Sequence, residues 1–100
     1  MLDINKTPND TEMIIALKGR LDTLTAPQLE EELNAATEGA SSLVFDFTEL
    51  EYISSAGLRV LLSAQKIMNT KGDMTVKNVS DEIREIFDVT GFSDILTIES

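Results

Sequence analysis

The sequence has no cysteine and no histidine among its 100 residues, only two prolines, and five glycines that never cluster. Without cysteine there is no disulfide, no thiolate nucleophile and no Cys₄ zinc site. Without histidine there is no Ser-His triad, no Cys-His dyad and no His-containing metal site. Cationic residues are also scarce: Lys and Arg total 8 against 18 Asp and Glu, a net charge of −10. A field of that sign repels phosphate backbones and anionic lipid surfaces, so no nucleic acid and no membrane is expected as partner. The longest fully apolar run, Met13 to Leu17, is five residues, against roughly 20 needed to cross a bilayer. The start, Met1-Leu2-Asp3-Ile4-Asn5, has neither a basic n-region nor an apolar h-region, which predicts a cytoplasmic location. Glycines 19, 39, 57, 72 and 91 stand alone. No loop cradles phosphate in the way a Gly-rich motif does, and neither a nucleotide nor a metal cofactor is expected.

What remains is an ordinary globular composition, 42% hydrophobic and 26% charged, enough for one domain spanning residues 1–100. A chain of this mass leaves ~5,600 Å² exposed when folded, about 65% of its extended surface being buried. Leu2 and Ile4 alternate with Asp3 and Asn5 as in a half-buried strand, and Thr7-Pro8-Asn9-Asp10 reads as a turn. Glu12 to Lys18, closed by Gly19, is the second strand of a hairpin. Thr25-Ala26-Pro27-Gln28 has the form of a capping box, with Thr25 as N-cap. Ala26, Leu29, Leu33 and Ala36 then mark a helical face that Gly39 stops. Leu43 to Phe47 is a buried strand, and the loop Thr48 to Ser55 leads to a helix from about Ala56 to Asn69. Met74, Val76 and Val79 suggest a fourth strand, Ser80 to Gly91 a third helix, and Ile95 to Ile98 a fifth strand.

The order ββαβαβαβ predicts an α/β domain: a mixed, largely parallel sheet of four to five strands with three to four helices. Right-handed crossovers make the second, third and fourth strands parallel. Sites in such sheets gather beyond the carboxyl ends of the strands. The segment after Gly19 and the loop before Ser55 are therefore expected on one rim.

That rim carries the most informative stretch, Tyr52-Ile53-Ser54-Ser55-Ala56-Gly57-Leu58. Two hydroxyls sit where a helix begins, with a glycine in its first turn. One serine is enough for an N-cap, and a first-turn glycine costs roughly 0.5–1 kcal/mol against alanine. Gly57 is therefore expected to let another chain approach the backbone. A serine here suits phosphorylation as well, because a phosphate at a helix start meets free N–H groups and the positive end of the dipole. Arg59 follows Ser55 by one turn, where it is either a phosphate contact or a solvated helix residue.

Asp46-Phe47, then Tyr52-Ile53-Ser54-Ser55-Ala56-Gly57-Leu58-Arg59-Val60-Leu61-Leu62, resembles the signature of the anti-sigma factor antagonists of the STAS domain family. Leu17-Lys18-Gly19-Arg20-Leu21-Asp22 and Val89-Thr90-Gly91-Phe92 are similar to two further blocks of that family, in the right order. The resemblance implies a STAS fold and a regulatory protein in a partner-switching system. Such an antagonist binds an anti-sigma factor that is also a serine kinase. It is inactivated when that kinase phosphorylates it and restored by a PP2C-type serine phosphatase. By position the acceptor is Ser55, with Ser54 the alternative. Many members have an aspartate where this chain has Ser54. The resemblance further implies a partner surface of Asp22, Asp46, Ser54, Ala56, Gly57, Leu58 and Arg59.

Two other classes compete. An enzyme using Ser55 would need a base, and Lys66, eleven residues along the same helix, lies roughly 16 Å away. No catalytic residue is expected, and Glu30-Glu31-Glu32 reads as a solvated face. The other alternative is a STAS-type adaptor or ligand-sensing module in a different signalling or transport complex, where the same serine is a scaffold residue.

Overall fold

A computed structural model describes residues 2–99. Strands β1 (Leu2–Asn9) and β2 (Glu12–Leu21) form an antiparallel hairpin, followed by α1 (Ala26–Ala36) and β3 (Ser42–Ile53). Next come α2 (Ser55–Asn69), β4 (Asp73–Lys77), α3 (Asp81–Thr90), a 3₁₀ turn at Phe92–Asp94 and β5 (Ile98–Glu99). The five strands lie in sequence order, with β2 to β5 mutually parallel, so the expected mixed and largely parallel sheet is present. Each crossover moves one strand further in the same direction. Right-handed connections of that kind place every helix on one face. The accessible surface is 5649 Å², in line with the size scaling.

The core lies between that sheet face and the helices. Ile15, Leu17 and Leu21 of β2 and Leu43, Phe45 and Phe47 of β3 meet Leu29 and Leu33 of α1 and Leu61 and Met68 of α2. Ile83 and Phe87 of α3 complete the layer, and the Phe47 and Phe87 rings lie 6.5 Å apart in a tilted pair. Burying side chains of this size is worth about 1.5–3 kcal/mol each relative to exposure. Among the described residues no helix covers the opposite sheet face, which carries polar side chains such as Asp3, Asn5, Lys18, Asp46 and Thr48 around a shallow depression of about 170 Å³.

Several element boundaries differ from the sequence expectations, each for a physical reason. β1 runs through Thr7 and Pro8, and the turn falls at Asp10, whose φ is +56°. Pro8 is tolerated because β1 is an edge strand, where a missing N–H breaks no ladder. β2 continues past Gly19, which has φ +105°, as far as Leu21. β3 does not stop at Phe47. Its pairing with β2 steps at Ala16/Lys18 and again at Gly19/Arg20, so β3 carries two extra residues and reaches Ile53. The core-facing positions of β3 change their spacing accordingly, from every second residue (Leu43, Phe45, Phe47) to every third (Leu50, Ile53). Strand alternation is invisible across such bulges. β4 ends at Lys77, leaving Val79 outside it, and α1 ends at Ala36 before Gly39 is reached. Of the segment Ile95 to Ile98 expected as a strand, only Ile98 joins the sheet, in β5 with Glu99, and the chain before it tightens into a 3₁₀ turn at Phe92–Asp94.

Candidate functional site

The carboxyl ends of β2 and β3 bring the expected loops together. The Ser54 N–H donates to the Leu21 carbonyl at 2.9 Å, so the residue before α2 is fastened to the end of β2. Ser54 has an extended backbone and is the N-cap: its Oγ accepts from Gly57 N at 3.4 Å, while its carbonyl accepts from Leu58 N at 2.9 Å. Ser55 is the first helical residue and is exposed, and no hydrogen bond occupies its hydroxyl among the described residues. The two serines are thus separated: one holds the helix, the other faces outward.

Gly57 is buried, and the partner it accommodates is its own chain. A methyl group there would stand 2.7 Å from Leu21 Cγ and 2.9 Å from Ile53 Cγ1. The expectation that Gly57 admits another protein's backbone is corrected on this point, since the close approach is to the ends of β2 and β3. Leu58 is also buried, 6% exposed, and packs into the core. Neither residue offers a side chain to a partner. Ser55, half-buried Ala56 and exposed Arg59 form the outward face of the helix start. Ala56 and Arg59 line a groove of about 300 Å³ with Thr23, Ala26, Pro27 and Glu30 of the β2–α1 side.

Asp22 organises the opposite wall. Its Oδ1 accepts from the Leu24 N–H at 3.0 Å and from the Thr25 N–H at 3.1 Å. Thr25 is not the side-chain cap of a capping box; its hydroxyl accepts from Asp22 N and donates to the Arg20 carbonyl, both at 2.8 Å. Gln28 likewise turns away from the helix start and reaches the Leu2 carbonyl at 3.5 Å. Desolvation pushes the Asp22 carboxyl up, but the bonds from Thr25 and Leu24 outweigh it and hold the group below the usual carboxylate value.

Asp46 lies elsewhere. Its neighbours Phe45 and Phe47 point into the core, so its carboxylate projects from the helix-free sheet face. There it accepts from the Thr48 hydroxyl, the Thr48 N–H and Asn78 Nδ2. The Thr48 hydroxyl does most to hold Asp46 below the usual value, against an upward push from desolvation. This acid fastens β3 to the residue after β4, where Asn78 has φ +58°, and it is not gathered with Ser55.

Arg20 and Tyr52, both expected near this rim, meet there in a contact that the sequence did not reveal. The Arg20 guanidinium lies over the Tyr52 ring at 4.3 Å from its centre, and Arg20 Nε is 3.8 Å from Asp22 Oδ2. Arg20 and Tyr52 are register partners, a pairing that only the two β3 bulges create. Among the described residues no cluster of Asp and Glu is arranged to hold a metal ion, and no helix is long and apolar enough to cross a membrane.

Comparison with known proteins gives the same architecture. The chain is 37% identical over 91 residues to BtrV of Bordetella bronchiseptica, covering 89% of this chain and 78% of that protein. It is 30% identical over 100 residues to the anti-sigma-B factor antagonist of Bacillus subtilis, covering 99% and 90% respectively. The solved structure of the Bacillus cell fate determinant SpoIIAA in its phosphorylated form superposes with a TM-score of 0.74 at 17% identity, covering 100% of this chain and 92% of that one. Residues 2–100 match the family model for the STAS domain. The chain belongs to the STAS domain family.

Proposed function

We propose that this STAS domain is an anti-sigma factor antagonist of the cytoplasm, regulatory rather than catalytic, whose switch is phosphorylation of Ser55. The observation that carries this reading is the division of labour at the start of α2. Ser54 caps the helix and Ser55 is left exposed beside the Asp22 loop. The name of the Bacillus subtilis relative and the phosphorylated state of SpoIIAA support it.

The proposed partner is an anti-sigma factor that is also a serine kinase. In the transfer, Ser55 Oγ attacks the γ-phosphorus of ATP, the bond to the β-phosphate oxygen breaks, ADP leaves and the hydroxyl proton passes to a base of the kinase. The product carries about −1.5 to −2 charges at neutral pH. The helix start tolerates a dianion, because N–H groups and the dipole favour it. The fold therefore persists while the surface changes.

Binding is affected differently. An unmodified hydroxyl is buried cheaply against a partner, whereas a phosphoserine must be desolvated and stands on the same rim as the Asp22 carboxylate. Burying an ionised group that the interface does not pair costs several kcal/mol, and each ~1.4 kcal/mol is tenfold in affinity. One added group is sufficient to release the partner, and removal by a PP2C-type serine phosphatase restores binding.

The test is to incubate the protein with its cognate serine kinase and ATP, then map the product by mass spectrometry and titrate it against the anti-sigma factor. Phosphate on Ser55 with affinity lowered at least a hundredfold is expected. Phosphate on a distant serine, or binding undiminished after modification of Ser55, overturns the proposal.

A further inference from the structure

Of the three arginines in the sequence, Arg59 alone has no acid partner among the described residues. Arg20 Nε lies 3.8 Å from Asp22 Oδ2, and Arg84 Nε lies 3.5 Å from Asp88 Oδ1. Lys6 and Lys18 are paired with Glu32 and Glu49, and Lys71 donates to the Thr37 carbonyl at 2.8 Å. Arg59 is exposed and begins the second turn of α2. Its place on the helix gives the side chain a direction. Residues four apart share a face, with Cβ atoms about 5–6 Å apart. Cα–Cβ bonds tilt toward the helix N-terminus, and long side chains lie back over the preceding turn. One turn before Arg59 stands Ser55, with its hydroxyl exposed. The first turn of α2 holds no acid to compete for the guanidinium. Glu30 is the one acid among the residues lining the groove beside Arg59, and the two form no ion pair. Asp22, at the end of β2, already faces Arg20.

We infer that Arg59 is the internal ligand of the phosphate on Ser55: on modification its guanidinium closes over the first turn of α2 and holds the phosphate oxygens. This rests on the proposed switch at Ser55 and adds to it the residue that fixes the modified state. A phosphoserine brings three strong acceptor oxygens and about −1.5 to −2 charges to that turn. The planar guanidinium matches phosphate oxygens two at a time. Lys66, the other cation of α2, is seven residues beyond Arg59 and roughly 16 Å from Ser55 along the axis, out of reach. The closed pair still opposes docking, because phosphate and guanidinium must both shed water to enter an interface. It also draws Arg59 away from the groove that it lines with Ala56. One modification thus alters two features of the surface.

The experiment uses the full chain with phosphoserine incorporated at position 55 during translation, so that no kinase is needed. Phosphorus-31 NMR follows the second ionisation of the phosphate in this protein and in its Arg59→Gln and Lys66→Gln variants. An opposite charge in contact lowers an acid's pKa, whereas charges more than ~8 Å away are largely screened at physiological salt. Arg59→Gln is expected to raise the phosphate pKa by about half a unit, and Lys66→Gln by less than about 0.1. The Lys66 variant controls for the loss of one positive charge from the same helix. The Arg59 Nε–H resonance should also move between the unmodified and modified proteins, a change that direct contact produces and a distant charge does not. Equal titration of wild type and Arg59→Gln overturns the clamp, and so does an equal shift in the two variants. Either result leaves the switch at Ser55 standing. The switch itself fails if the kinase leaves Ser55 unmodified or if the modified protein binds undiminished, and the clamp then loses its role with it.

Discussion

Gly57 in the first turn of α2 rests directly on Leu21 at the end of β2, so closely that a methyl group would stand 2.7 Å from Leu21 Cγ. This contact brings the helix start down onto the strand ends and sets the height of Ser54 and Ser55 above the sheet. Gly57→Ala gains roughly 0.5–1 kcal/mol of helix propensity but overpacks the site, a cost of about 1–3 kcal/mol. The expected result is net destabilisation in urea unfolding with the slope unchanged. Stability equal to or above wild type would show that Leu21 and Ile53 give way without cost.

Ser54 and Ser55 should separate in their effects. Ser54→Ala removes the cap and is expected to cost about 0.5–1 kcal/mol, the low end for caps, given a bond of 3.4 Å. It should still be phosphorylated. Ser55→Ala should change stability by less than about 0.5 kcal/mol and abolish phosphate incorporation while keeping partner binding. Denaturant melts and phosphorylation assays on the same two proteins check the pair.

Asp22→Ala removes the acceptor of the Leu24 and Thr25 N–H groups. The β2–α1 loop should then loosen, visible as faster amide hydrogen exchange at Leu24 and Thr25. Exchange in β3 and α2 should change far less.

The pH dependence has a fixed sign. The Asp22 and Asp46 carboxyls both lie below their ordinary value of 3.8 in the folded protein. A depressed folded pKa stabilises the protein above the unfolded value, and that contribution is lost as pH falls through the folded one. Stability should decline below about pH 4, and the difference between wild type and Asp46→Asn should shrink over the same range. Unfolding measured from pH 7 to pH 2 decides it; a constant difference would mean that the Thr48 and Asn78 bonds do not depend on charge.

Gly72→Ala should be more damaging than Gly57→Ala. A methyl group there would lie 1.9 Å from the Ser41 carbonyl oxygen, a backbone atom that also accepts the Asp73 N–H at 3.2 Å. The α2–β4 turn must move, and β4 loses its alignment with β3 at Ser42 and Asp73. A melting temperature lowered by several degrees is expected.

The elements whose residues follow one simple period were legible in the sequence. α2 and α3 show a 3.6-residue face, and α3 has both of its stops in the chain itself, Ser80 capping Ile83 N at 3.3 Å and Gly91 in the left-handed region. The strand ends were not legible, because β3 changes from a spacing of two to a spacing of three where it bulges. Thr25 and Gln28 have the sequence of a capping box, yet the Thr25 hydroxyl is drawn to Asp22 N and the Arg20 carbonyl. Local pattern lost there to contacts with a preceding strand.

The absences in composition and the order of strands and helices were decided by the sequence alone. They removed thiol and imidazole chemistry, set a strongly negative field and placed the Ser54-Ser55 pair on the rim of a parallel sheet, because chirality leaves few ways to connect such elements. Tertiary structure decided which member of each group faces outward. It buried Gly57 and Leu58 against β2 and β3, turned Asp46 to the far face of the sheet, spent Ser54 on the helix start and left Ser55 and Leu24 exposed. Burial depends on which distant residues share a space, and that sharing follows from the register of β2 on β3, which no local spacing encodes.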